Sequence, residues 1–124
     1  MAANYPLEPE PGKFVFNNCI EKEDYTSKCL EVTFSISRYG KHCKTLKFEE
    51  PVSIDRAIIE VEQYLSQPLE ERYFDKIRDD LFRKNETWAE GKKRYVCRGD
   101  CLGDSKFLES AELNCTKLTL YCGS

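Results

Sequence analysis

The stretch VCRGDC places Arg98, Gly99 and Asp100 between Cys97 and Cys101. Closed by a disulfide, such a ring holds a guanidinium and a carboxylate on opposite sides of a tight loop, with little entropy left to lose on docking into an integrin-type receptor. The two α-carbons must then come within about 7 Å, whereas a strand would hold them roughly 13 Å apart, so the residues between them must turn, and Gly99 makes the turn easy. The same residues also serve as a plain bend, in which Asp100 accepts local backbone hydrogen bonds and Gly99 supplies the awkward dihedral. A second Gly-Asp pair at Gly103-Asp104 reads as a further corner. The redox compartment decides between hook and bend.

The start of the sequence, MAANYPLEPEPGK, has neither a basic n-region nor an apolar h-region, so the expectation is a chain kept in a reducing compartment, with no secretory signal and free thiols. Seven cysteines, an odd number, also fit poorly with a closed disulfide framework. The bend is therefore the favoured reading and the disulfide-closed integrin ligand the alternative. A second alternative is a small zinc-binding domain, because Cys97, Cys101, Cys115 and Cys122 give the spacing C-x3-C-x13-C-x6-C. An extended strand would hold Cys115 and Cys122 about 23 Å apart on opposite faces, which disfavours one shared ion. Buried cysteine acting as a small hydrophobe is the expected role, above all for Cys122 beside Leu118 and Leu120.

Catalytic signatures are weak, and the expectation is a protein that is not an enzyme and holds no cofactor. His42 sits at the returning end of a hairpin, with its neighbour Cys43 on the other side of the strand, so imidazole and thiol do not converge. No phosphate loop, nucleophile elbow, C-x-x-C or calcium loop is present. Nineteen basic against 22 acidic residues leave a net charge of -3, and the one basic cluster, Lys92-Lys93-Arg94 near Arg98, lacks the interleaved aromatic platform of single-strand binders. Neither nucleic acid nor membrane is expected as a partner, since no run approaches the ~20 apolar residues of a span.

The elements that must position these groups follow from periodicity. A chain of 124 residues suits one domain with its own core. Residues 1–12 are Pro- and Glu-rich and read as an extended arm, and 13–124 as a single domain. Lys13-Phe14-Val15-Phe16 is a first strand candidate. Leu30, Val32, Phe34 and Ile36 alternate with polar residues, Arg38-Tyr39-Gly40-Lys41 supplies a turn, and Leu46 and Phe48 return, which predicts a hairpin. From Ser53 the period changes to 3.6, with Ile54, Ala57, Ile58, Val61, Tyr64 and Leu65 on one helical face. Ser66-Gln67-Pro68 breaks that helix and starts a second, carried by Leu69, Tyr73, Ile77 and Leu81, with Phe74 and Phe82, to about Lys84. Trp88 follows on a short turn as a lid over the core, and Gly91 ends the helical region. Strands are expected at Tyr95-Val96-Cys97, Lys106 to Leu113 and Lys117 to Cys122. The class is α+β, with a β-hairpin, two helices and C-terminal strands, and a β-grasp (ubiquitin-like) arrangement is favoured.

CRGDCLGDSKFLES and LTLYCGS, with SRYGK, EEPVSIDRAIIEVEQYLSQPL and DDLF, resemble a group of small uncharacterised proteins of large cytoplasmic DNA viruses over about residues 34–124. The resemblance implies that the Arg-Gly-Asp belongs to a turn pattern shared for folding reasons. It also implies an accessory or virion-associated role in host-cell cytoplasm or virion. The functional expectation is a non-catalytic protein-protein interaction or structural accessory module, a minor virion component. Its candidate contacts to protein partners, other virion proteins among them, are Arg98, Gly99, Asp100 and Trp88.

Overall fold

The apolar alternation after residue 28 builds a hairpin of β2 (Lys28–Ser35) and β3 (Cys43–Ser53), and the C-terminal alternation builds a second, β4 (Phe107–Asn114) and β5 (Lys117–Gly123). A computed structural model describes residues 12–20, 27–81 and 86–123. Residues 1–11, most of the expected arm, lie outside the described residues, as do Phe82 and Lys84. The hairpins join through a parallel pairing of β2 with β5, and a two-residue strand β1 (Asn17–Asn18) adds in parallel to β4. The result is a five-stranded mixed sheet in the order β1-β4-β5-β2-β3. With the helices this makes an α+β protein.

The helix α1 (Ile54–Leu65) forms where the 3.6-residue period begins. The Ser53 side chain accepts the Arg56 N–H at 3.1 Å as its N-cap, and Ile54, Ala57, Ile58, Val61 and Leu65 are buried against the sheet. Its face meets Val32, Phe34, Leu108, Leu118 and Leu120 in one core. The opposite sheet face is polar, with Thr33 and Thr45 hydroxyls 2.7 Å apart.

Several expected elements take other forms. Lys13-Phe14-Val15-Phe16 precedes the strand and is not part of it. It is clipped to α1 by side chains, the Phe14 N–H donating to Ser66 Oγ and the Phe16 N–H to Glu62 Oε2, both at 2.8 Å. Leu30 is only half-buried while Cys29 is buried, because a register shift between Cys29 and Glu31 breaks the alternation. Pro68 starts no helix, since α2 spans only Glu71–Ile77. A 3-10 turn at Arg78–Asp80 then leads to extended backbone at Leu81. Leu81 stays buried, so the four-residue spacing reported proximity to the core and not continued helix.

Trp88 opens α3 (Trp88–Arg94), capped by Thr87, and packs at 5.6 Å between centroids on Phe74. Gly91 lies inside α3 and does not end it. A β-carbon there would come within 2.5 Å of Phe74 Cε2, so glycine lets α3 lie against α2. Tyr95-Val96-Cys97 is not a strand; Cys97 alone makes an isolated bridge to Pro68.

The turn between β4 and β5 carries a strained residue. Cys115 has φ 58, the geometry that glycine adopts in two-residue hairpins. Cys115→Gly is expected to stabilise the fold by roughly 0.5–1 kcal/mol, relief of the side-chain clash being partly offset by the greater freedom of glycine in the unfolded chain. A urea midpoint that rises at constant slope would show this.

Candidate functional site

The sequence-predicted site is a corner held by internal contacts, with Gly99 buried and Arg98 and Asp100 half-buried. Arg98–Leu102 forms a 3-10 turn, with Cys97 and Asp100 as a reciprocal cap. Asp100 Oδ2 accepts the N–H groups of Val96 at 2.9 Å and Cys97 at 3.0 Å. Gly99 is buried under Phe14, and a β-carbon on it would lie 2.5 Å from Phe14 Cγ and closer still to Cδ2. Arg98 stacks its guanidinium 4.5 Å from the Tyr64 ring centroid and 5.3 Å from that of Tyr73. Its backbone N–H bonds Gln67 O at 3.0 Å and ties the corner to the end of α1. The bend reading of Arg98-Gly99-Asp100 describes this geometry, with a 3-10 turn in place of a strand-to-strand corner.

The sulfur chemistry points the same way. All seven cysteines carry free thiols, and Cys97 and Cys101 are both buried. Burial first, then the Asp100 carboxylate, pushes the Cys101 thiol up to about 12, and the same two causes raise Cys97. Burial likewise pushes Cys122 up to about 11, where it flanks the core near Leu118 and Leu120. Such thiols are protonated at neutral pH and weak as nucleophiles or ligands. The four cysteines considered as zinc ligands are not gathered: Cys115 is exposed in the β4–β5 turn, and Cys122 pairs with Leu108 toward the far end of that hairpin. Among the described residues no three His, Cys, Asp or Glu side chains are grouped to hold a metal ion. Among them also, no helix is long and apolar enough to cross a membrane.

The chain was compared with protein-family models, curated proteins and solved structures. None of the three comparisons finds a match.

Two features escape a one-dimensional reading. Asp80 is buried and accepts the Ser37 hydroxyl and, at 3.3 Å each, the Tyr39 and Lys41 N–H groups, which fixes the SRYGK turn from 39 or more residues away. His42, beside that turn, hydrogen-bonds the exposed Asp79 at 2.9 Å, and this bond holds the Asp79 carboxyl below the usual range. These contacts tie the turn to Asp79 and Asp80, with Gly40 at φ 72.

The second feature is the β3 edge. The Ile36 N–H bonds His42 O at 2.9 Å, and Phe34↔Lys44 and Val32↔Leu46 continue the same register. Residues 42, 44 and 46 thus turn their backbone groups to β2, while Cys43, Thr45 and Lys47 turn theirs away from the sheet. As β3 is the last strand in the order, those groups have no strand partner among the described residues. A run of Thr and Lys with no acidic residue was the available signal.

Proposed function

We propose that the protein is a non-catalytic interaction or structural accessory module whose partner is another protein, and that it serves as a minor virion component of a large DNA virus. The observation that carries the interaction reading is the open β3 edge, where the outward backbone groups of Cys43, Thr45 and Lys47 await hydrogen-bond partners. The Asp80-anchored turn next to it holds the start of that edge in place. A non-catalytic role is supported by thiols raised out of the reactive range and by a histidine committed to Asp79. A β-grasp arrangement is supported by the strand order, in which β2 and β5 lie parallel in the middle and α1 leads away from the first hairpin. The virion role rests on the resemblance at residues 34–124.

A photo-crosslinking amino acid at Lys47 on the β3 edge, compared with one at Glu112 on the open sheet face, tests the interaction reading in extracts of cells that make the protein. Discrete protein adducts are expected from position 47 and not from 112. Adducts from neither position, or equally from both, would contradict it. Quantitative mass spectrometry of purified particles tests the virion role, where absence of the chain would remove it.

A further inference from the structure

The β3 edge is chemically biased as well as open. The chain has a net charge of -3, yet residues 32–48 contain no Asp or Glu. Within this stretch Lys41, Lys44 and Lys47 recur every three residues, and all are exposed. Strand alternation sends them to both sides of the sheet. Lys44 pairs across from buried Phe34 and so faces the helices, whereas Lys47 pairs across from Glu31 on the polar face. On the helix side, Lys44 Nζ lies 6.0 Å from the Tyr64 ring centroid, and the Arg98 guanidinium packs on the same ring. Neither Lys44 nor Arg98 forms an ion pair among the described residues, and Arg98 Nε is buried without a hydrogen-bond partner. The nearby acids are already engaged: Asp79 by His42, and Glu31 by Lys117 at 3.9 Å.

We propose that residues 43–47 bind an acidic, extended segment of a partner protein as an added strand, its carboxylates met by Lys44 on the helix side or by Lys47 on the open side. This inference rests on the interaction reading above and names the chemistry of the partner. The outward groups of Cys43, Thr45 and Lys47 supply the ladder. A five-residue contact spans roughly 17 Å. It ends beyond Lys47, where the register shift leaves residues 48–51 without β2 partners and Glu49 and Glu50 repel further carboxylates.

A synthetic peptide of sequence Thr-Glu-Val-Glu-Val-Glu-Thr is the probe, titrated at low salt into the labelled full chain while its amide resonances are followed. The amides of Cys43, Thr45 and Lys47 should shift saturably and gain exchange protection. The same peptide with Lys for Glu should not bind, and raised salt should weaken the acidic one. A Lys44→Glu/Lys47→Glu variant should lose about tenfold in affinity, because whichever face the peptide's Glu side chains take, a favourable rim contact becomes a repulsion, with its other resonances unmoved as a check on folding. Absence of saturable shifts, shifts centred on another surface, equal binding of the lysine peptide, or an unaffected double variant would each overturn the proposal. If position 47 crosslinks a partner in extracts while the acidic peptide fails to bind, the edge remains the interaction surface and the acidic chemistry is wrong.

Discussion

Replacing Asp80 by alanine is expected to lower stability by about 3–4 kcal/mol. Each hydrogen bond to a charged acceptor contributes roughly 1.5–3 kcal/mol, less the desolvation cost of the carboxylate that alanine removes. The Asp80 carboxylate gathers one hydroxyl and two backbone N–H groups. Alanine leaves the Ser37 hydroxyl, itself buried, without an acceptor. Asn retains one carbonyl oxygen for these donors, so Asp80→Asn should cost about half as much. Urea denaturation measures the loss. Amide exchange locates it, because Tyr39 and Lys41 should lose protection first, loosening the turn that leads into the β3 edge. A loss spread evenly over the molecule would mean that Asp80 does not anchor this turn.

Gly99→Ala is expected to cost roughly 3 kcal/mol, the upper end of ordinary overpacking, since the added methyl would overlap the Phe14 ring and displace it. Phe14 contacts Phe16 edge-to-face at 4.8 Å and is bonded to Ser66 at the end of α1, so the ring cannot simply swing away. For a protein of this size the melting midpoint should fall by about 10 °C. A freely projecting Arg-Gly-Asp loop would tolerate the same change nearly without loss. The substitution therefore discriminates between a structural corner and a presented ligand without any receptor.

The parts legible in the sequence were those in which one periodicity decides. Ile54, Ala57, Ile58, Val61 and Leu65 lie on one buried face because a 3.6-residue repeat admits only one helical orientation. Leu118 and Leu120 are buried as the two-residue alternation required. Illegible were places where a distant group overrides local pattern. α2 stops at Ile77 as the chain turns to deliver Asp80 to a turn some forty residues earlier in sequence, and the Leu69-to-Leu81 spacing contains no trace of that. Cys29 replaces Leu30 in the core through a bulge set by unequal strand lengths, which appears only once β3 is paired. At the corner, glycine suggested a loose bend, but its small size is needed for Phe14, a residue 85 positions away.

Cys97 and Cys101 are buried as free thiols in a folded corner, and the proposed docking surface is the β3 edge. Brief alkylation of the native protein under non-reducing conditions, followed by unfolding, a second distinguishable alkylation and peptide mapping, tests the state of these thiols directly. Cys19, Cys43 and Cys115, the exposed thiols, should carry the first label, while Cys29, Cys97 and Cys101 take only the second. A Cys97–Cys101 peptide pair that resists both labels until reduced, or Cys97 and Cys101 labelled as fast as Cys43, would contradict it.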